Sequence, residues 1–282
     1  GLLLCALSVA MLYFSMPPYG IWPLMLLGFA PMLVAQYRVM PRRISAVAPA
    51  ITVSFFIVSY IFETFGDAFW QVPFLQALLP GIALIVFLAE SGSRHFHEQT
   101  RFRWFALEGA LAWVGVEMIR NLIPWLGTGG FVGYAYYRSP WLIQPLSFVG
   151  VLGLDLLSML ACYTIGLGAI ALFDRLAGAG AFPVPPRVLR AWLVGVGSAA
   201  ALWTALSLVL YVQPVTTPLV KVGTVQSGKL GTLGYFIEGT YSLAEQGVEL
   251  IVWPEGAPHM GQQAADHGLG GGNRDVDLPS LH

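Results

Sequence analysis

Cysteine is scarce in this sequence, and its scarcity excludes two kinds of architecture. Cys5 and Cys162 are the only cysteines, and each lies inside an apolar stretch. Two cysteines so placed supply neither a disulfide framework nor a zinc site. Histidine offers no better metal site, because His95 and His97 lie in an arginine-rich segment and the other three are scattered along the C-terminal tail. We therefore expect both cysteines to be packing residues, and we predict no metal and no cofactor.

Charge is also scarce, and the few charges nearly cancel. Charged residues make up 10% of the chain, with 14 lysines and arginines against 15 aspartates and glutamates. A sequence with this balance has no extended basic surface with which to bind nucleic acid. In contrast, 56% of the residues are hydrophobic and the mean hydropathy is +0.70, far from the mix of a soluble domain. The composition predicts a polytopic membrane protein.

Seven apolar stretches are long enough to be considered as membrane spans. A helix needs about 20 apolar residues to cross a hydrocarbon core of about 30 Å. The stretches lack the two-residue alternation of membrane β-barrel strands, so a helical bundle is predicted. We predict a seven-span transmembrane helical domain over residues 1–213. The predicted spans lie near residues 2–16, 21–37, 46–64, 73–90, 104–120, 147–173 and 188–212.

Arginines mark one side of the predicted bundle. Before Pro218, the opposite side has only Arg120 and Arg138. Because arginines are retained on the cytoplasmic side during insertion, we predict a cytoplasmic N-terminus in a bacterial inner membrane and an extracytoplasmic C-terminal part. The arginines of the alternate loops are Arg38, Arg42, Arg43, Arg94, Arg101, Arg103, Arg175, Arg187 and Arg190.

The pattern changes after Pro218, where a second, α/β part is predicted over residues 219–282. Residues 219–226 alternate as a strand does, residues 233–246 can form a helix that Gly247 ends, and residues 249–253 form a continuous apolar strand. Strand, helix and strand form the opening unit of an α/β layer. Glu255 lies at the carboxyl end of the second strand, the edge where open α/β sheets bind ligands.

Several short motifs carry a family resemblance. The sequence resembles the apolipoprotein N-acyltransferase family, in which a seven-span bundle precedes a nitrilase-like carbon–nitrogen hydrolase domain with an αββα sandwich fold. The motifs are Val-Gly-Thr-Val-Gln at 222–226, Leu-Ile-Val-Trp-Pro-Glu at 250–255, Glu-Met-Ile-Arg at 117–120, Gly-Tyr at 133–134, Ile-Gln-Pro at 143–145 and Gly-Val-Leu-Gly at 150–153.

This resemblance implies a reaction and its substrates. A cysteine thiolate takes an acyl chain from a phospholipid and passes it to the α-amino group of the diacylglyceryl cysteine of an apolipoprotein. The family's glutamate, which acts as base toward that cysteine, corresponds to Glu255. The family's lysine and cysteine come after that glutamate, whereas no lysine follows Lys229 and no cysteine follows Cys162 here. Since the sequence also starts at Gly1 and has only 64 residues after Pro218, we expect a truncated fragment that is inactive alone.

Aromatic residues of the outer side are candidates for lining a substrate site. Trp125 and Tyr134 lie between the fifth and sixth spans, and Trp253 lies two residues before Glu255. Aromatic side chains at this depth are commonly part of the interfacial belt of a membrane protein. The family resemblance favours a second role, in which Trp125, Tyr134 and Trp253 contact the lipid substrate.

Four ionisable residues within the predicted spans also need an explanation, because charge is costly in a bilayer. Glu117 and Arg120 lie three residues apart on one helical face, and we predict a structural ion pair that orients the outer loop. Asp155 lies near the outer end of the sixth span, where interfacial water is within reach. Glu108 lies close to Arg101 and Arg103, with which pairing is expected.

Two other functions are compatible with the sequence. The first is a membrane-tethered amidase of the nitrilase superfamily, in which water instead of a lipopeptide amine resolves the thioester. The second is a non-catalytic membrane scaffold or transporter-like bundle. Transporters tend to contain inverted repeats and broken helices, and no such repeat is evident in the sequence.

Overall fold

The chain divides into two units, and each is described here by itself. The structure is a computed structural model that describes residues 1–66, 68–122, 130–178, 182–214, 219–226 and 233–253. The first unit comprises residues 1–213 and the second comprises residues 214–282.

The first unit is helical throughout the described ranges. A π-helical turn, Ala35–Val39, continues the second helix, and short 3-10 helices occupy Arg42–Ile44 and Val132–Tyr136. Each predicted apolar stretch contains one of the longer helices. The α-helices are α1 Leu2–Ser15, α2 Pro23–Val34, α3 Val47–Phe65, α4 Ala68–Gln71, α5 Pro73–Glu90, α6 Ser93–Gln99, α7 Phe105–Asn121, α8 Leu146–Ala177 and α9 Pro186–Tyr211.

Four segments of the described chain are long and apolar enough to cross a membrane. They are Arg42–Phe62, Pro73–Gln99, Leu146–Ala177 and Pro186–Tyr211. The apolar helices Leu2–Ser15 and Pro23–Val39 are shorter, and α7 has 17 residues. The prediction of a helical membrane part is thus confirmed, whereas seven crossings remain a prediction.

Helix α8 is the centre of the first unit. It packs against α2, α7 and α9, while α1 packs against α2 and α3. Small residues allow these close approaches: a Cβ atom on Gly166 of α8 would lie 2.3 Å from Leu33 Cδ1 of α2. Cys5 and Cys162 are fully buried in this core. The predicted packing role of the two cysteines agrees with their burial.

A bend in α8 occurs close to its N-terminal end. Gly150 has φ 67° and ψ 177°, so the helical geometry is interrupted there. Glycine adopts positive φ without the steric cost of a Cβ atom. The bend separates the first residues of α8 from the long segment that contains Asp155.

The arginine-bearing loops meet at one end of the bundle, which we call the arginine-rich end. Arg38, after α2, forms a buried two-pronged ion pair with Asp174 at the end of α8, with N–O distances of 2.5 and 2.9 Å. Arg94 binds Glu98 at 3.0 Å and donates to the carbonyl of Met40. These contacts join all three arginine-bearing loops, as the charge pattern predicts.

The other end of the bundle, which we call the opposite end, is closed by two loops. Tyr137 Oη donates to the Pro18 carbonyl at 2.9 Å, and Arg138 donates to the carbonyls of Pro18 and Tyr19. The segment after α1 is therefore bound to the loop that precedes α8. Glu117 and Asp155 also lie toward this end.

The second unit contains a β-α-β arrangement. Its elements are β1 Val222–Thr224, α10 Leu233–Glu245 and β2 Leu250–Val252. The two strands are parallel, and Gly223 is paired with Ile251. Gly247, with φ 69°, follows α10. The predicted order of strand, helix and strand is confirmed, although each strand is shorter than predicted.

Candidate functional site

The predicted site residues fall into two groups. Glu117, Arg120 and Tyr134 lie in the first unit, and Trp253 lies in the second. Trp125 and Glu255 lie outside the described residues. The described site residues thus lie at the opposite end of the bundle and, in the second unit, two residues before the predicted catalytic glutamate.

Glu117, near the end of α7, connects its helix to the loop before α8. The residue is 4% exposed, and its Oε1 atom accepts a hydrogen bond from Trp113 Nε1 at 3.0 Å. The same oxygen accepts from the backbone N–H of Val132 at 3.3 Å. Since Trp113 lies one helical turn before Glu117, it fixes the direction of the carboxylate.

Asp155 binds the next residue of the same loop. It is fully buried in α8, and its Oδ1 atom accepts the backbone N–H of Gly133. A Cβ atom on residue 133 would lie 2.8 Å from this oxygen and 2.8 Å from Val151 Cγ2. Glycine is therefore required at 133 for the backbone to reach the carboxylate. The expectation that Asp155 reaches interfacial water is wrong, because the loop covers it.

The two carboxyl groups lie close to each other. Their remaining oxygens, Glu117 Oε2 and Asp155 Oδ2, are buried and accept no hydrogen bond from a described residue. Together they hold two consecutive backbone N–H groups, those of Val132 and Gly133, which begin the 3-10 helix Val132–Tyr136. We call Glu117 and Asp155 the carboxyl clamp.

The predicted ion pair between Glu117 and Arg120 is absent from the ion pairs of the described chain. The Arg120 guanidinium lies over the ring of Phe131, 5.0 Å from its centroid. The spacing of three places both residues on one helical face, as predicted. Glu117 nevertheless turns toward Trp113 and Val132, because these donors occupy its Oε1 atom. Its contact with the loop before α8 runs through the backbone N–H of Val132 and not through Arg120.

Tyrosines surround the segment held by the carboxyl clamp. Tyr134 is half-buried, and its ring stacks on Phe131 with centroids 6.1 Å apart. Tyr136 is buried, and its ring lies 5.8 Å from that of Trp22. Burial raises the pKa of the Tyr136 phenol above its ordinary value, so this side chain stays neutral. The carboxyl clamp thus fixes an aromatic surface at the opposite end.

In the second unit, Trp253 holds the chain immediately before the predicted catalytic glutamate. Its Nε1 atom donates to Thr240 Oγ1 of α10 at 2.9 Å, and its ring lies 5.3 Å from that of Phe236. The residue remains 36% exposed. Trp253 therefore fixes the end of β2 against α10 while a face of its ring stays accessible.

Several hydrogen-bond partners of the buried carboxyl groups were not predicted from the sequence. Glu108 binds His97 Nε2 at 3.1 Å, and it forms no ion pair with Arg101 or Arg103 within the described chain. The hydrogen bond from Trp113 to Glu117 could have been predicted, because Trp113 precedes Glu117 by four residues on the same helix. The link between Asp155 and Gly133 spans 22 residues and leaves no periodic signal.

Among the described residues, no group of three or more His, Cys, Asp or Glu side chains could hold a metal ion.

Comparison with known proteins gives consistent matches. The family model of the apolipoprotein N-acyltransferase N-terminal domain matches residues 8–164, more than half of the chain. An apolipoprotein N-acyltransferase of Geobacter metallireducens is 30% identical over 175 residues, which cover 56% of this chain and 32% of that protein. Those of Rickettsia typhi and Rickettsia prowazekii are each 36% identical over 93 residues, which cover 32% of this chain and 18% of each relative.

The matched region includes the residues that form the opposite end of the bundle. Residues 8–164 include both members of the carboxyl clamp and the loop that they hold. The chain spans about a third or less of the length of the curated relatives that it matches. From the extent of the family match, the chain belongs to the apolipoprotein N-acyltransferase family.

Proposed function

We propose that the protein transfers a fatty acyl chain from a phospholipid to the N-terminal diacylglyceryl cysteine of apolipoproteins. The observation that carries this proposal is the family match over residues 8–164. The membrane unit supplies the lipid-facing part of the site, and the second unit supplies the start of the nitrilase-like catalytic domain. The β-α-β order of the second unit supports this role for it.

The reaction has two steps. A cysteine thiol loses its proton to a carboxylate, and the resulting thiolate attacks the ester carbonyl of the phospholipid, so that a thioester forms and a lysophospholipid leaves. The α-amino group of the diacylglyceryl cysteine then attacks the thioester and releases the thiolate, which completes the amide. A lysine donor stabilises the oxyanion in both steps.

Glu255 is the proposed base. It follows β2 by three residues, and Trp253 anchors that strand end to α10. The sequence contains no lysine after Lys229 and no cysteine after Cys162. The 282-residue chain is therefore expected to be inactive alone, and the complete reading frame of the gene is the form to assay.

The proposed contribution of the first unit to the reaction depends on the carboxyl clamp. By holding the N–H groups of Val132 and Gly133, it fixes the position of Tyr134 at the opposite end of the bundle. Tyr134 and Trp125 are proposed to line the entry of the acyl chains, and Trp253 is separately proposed to contact the lipid substrate. A rigid loop keeps the ester carbonyl within reach of the thiolate.

The orientation follows from the arginine-rich end. We assign this end and the N-terminus to the cytoplasm, according to the positive-inside rule. The second unit and Glu255 then face the periplasm or the exterior. This placement agrees with a reaction at the outer leaflet of the bacterial inner membrane.

The test is an acyl-transfer assay with the complete protein. The protein is reconstituted in phosphatidylethanolamine vesicles whose acyl chains carry a radiolabel, and a synthetic diacylglyceryl-cysteine peptide is added. We expect the label to appear in an amide on the peptide, together with lysophospholipid. Release of labelled free fatty acid would instead indicate a hydrolase of the amidase type, and an unchanged phospholipid pool would indicate a scaffold.

A further inference from the structure

A groove lies between α8 and α9 and has a volume of about 550 Å³. Its walls are mostly apolar, and small side chains on α9 create the space. This volume is within the range of small-ligand sites, roughly 300–1,000 Å³. The walls are formed by Leu160 of α8 and by Ala191, Trp192, Gly195, Val196 and Ala199 of α9.

Two arginines lie at one end of this groove. Arg187 belongs to the first turn of α9, and Arg103 belongs to the segment before α7. Trp192 Nε1 donates to the Arg103 carbonyl at 3.2 Å, so the segment of Arg103 is fixed to α9. Neither guanidinium forms an ion pair with a described residue, although that of Arg103 lies 5.6 Å from the ring centroid of Trp104. The groove therefore has a positive end and an apolar body.

The length of the groove corresponds to one half of a bilayer. Twelve residues separate Arg187 from Ala199 on α9, which at about 1.5 Å per residue is about 18 Å. Half of a hydrocarbon core of about 30 Å is about 15 Å. When the headgroup of a phospholipid lies at the arginines, one of its acyl chains thus has about the length of the apolar part of the groove.

We propose that this groove binds an anionic phospholipid of the leaflet at the arginine-rich end. The phosphate pairs with Arg103 and Arg187, and one acyl chain lies along Ala191, Gly195 and Ala199. Guanidinium groups bind phosphate oxygens in pairs, and basic pockets between membrane helices at the cytoplasmic side are typical sites for anionic headgroups. The amide groups of the first turn of α9 add partial positive charge at the same end.

The bound lipid is structural in this proposal and is not the acyl donor. The groove is formed by the first unit alone, at the end that carries the arginine loops, whereas the carboxyl clamp and the loop that it holds lie at the opposite end. The proposal therefore does not depend on acyl transfer. Its test needs only a binding measurement on the 282-residue chain.

The experiment compares two lipids with identical acyl chains. The chain is purified in detergent and titrated with dioleoyl phosphatidylglycerol or dioleoyl phosphatidylcholine, and lipid adducts are counted by native mass spectrometry. Replacement of both arginines, Arg103→Gln with Arg187→Gln, is expected to weaken phosphatidylglycerol binding about 30-fold, since each basic group contributes about fivefold. The matched control is Arg190→Gln, an exposed arginine of the same helix that does not line the groove.

A second pair of variants tests the apolar body of the groove. A Cβ atom on Gly195 or on Gly197 would meet no atom within 4 Å, but only Gly195 lines the groove. Gly195→Phe is expected to reduce phosphatidylglycerol binding at least tenfold, whereas Gly197→Phe leaves it unchanged. Comparison of the two variants distinguishes occlusion of the groove from a general effect of the substitution on α9.

Three results would overturn the proposal. The first is equal binding of phosphatidylglycerol and phosphatidylcholine by the unaltered chain. The second is a loss with Arg190→Gln or Gly197→Phe as large as with its partner variant, which would indicate diffuse attraction to the helix. The third is displacement of the lipid by millimolar inorganic phosphate, which would identify a free-phosphate site.

Discussion

Replacement of Glu255 by glutamine in the complete protein is expected to lower acyl transfer about 10²–10⁴-fold, the usual contribution of a general base. Glutamine keeps the size and shape of the side chain but cannot accept the proton of the thiol. The nucleophile then reacts only through its small ionised fraction, because a free cysteine has a pKa of about 8.5. The rate of amide formation on the synthetic lipopeptide measures this effect.

Glu249→Gln is the matched control for this variant. Glu249 is an exposed residue immediately before β2, and its carboxylate accepts the backbone N–H of Lys221 at 3.4 Å. Its replacement is expected to leave the rate within about twofold, since exposed polar contacts contribute little. Normal turnover by Glu255→Gln would remove Glu255 from the mechanism, and equal losses in both variants would point to damage of the strand.

Replacement of Asp155 by alanine is expected to destabilise the first unit by about 1–3 kcal/mol. The substitution leaves the Gly133 N–H without its acceptor in a buried place. The loop before α8 then loses one of the two carboxyl contacts that form the carboxyl clamp. Thermal unfolding of the purified chain in detergent, followed by circular dichroism, measures the loss.

Asp155→Asn separates hydrogen bonding from side-chain volume. The asparagine oxygen can still accept from the Gly133 N–H, and its amide can donate to the nearby Glu117 carboxyl group. We expect this variant to lie within about 1 kcal/mol of the unaltered chain. If Asp155→Asn lost as much stability as Asp155→Ala, the hydrogen-bonded carboxyl clamp would be the wrong description of the site.

The positions of the membrane helices could be predicted from the sequence, because apolar length is a local property. Each predicted stretch contains a helix, and α8 begins and ends within a few residues of the prediction. The bend at Gly150 could not be predicted, because a glycine in an apolar helix is more often a packing residue. Whether a glycine adopts positive φ depends on the loop that precedes it.

The partners of the buried charges were harder to predict. Helical spacing places Glu117 and Arg120 on one face, yet the carboxylate is satisfied by donors from Trp113 and from a loop 15 residues away. Asp155 in the same way binds a backbone group distant in sequence. Periodicity predicts which face of a helix a side chain occupies, whereas the tertiary structure determines which hydrogen-bond donor reaches that side chain.

In the proposed orientation the arginine-rich end is cytoplasmic and the second unit is extracytoplasmic, and labelling of single cysteines tests this orientation. Cys5 and Cys162 are buried, so new cysteines at exposed positions give the signal. We predict that a membrane-impermeant maleimide added to intact cells without an outer membrane labels Glu249→Cys. His95→Cys, in an arginine-bearing loop, should react only after the membrane is permeabilised. Labelling of His95→Cys in intact cells, with Glu249→Cys protected, would show that the orientation is the reverse of the proposed one.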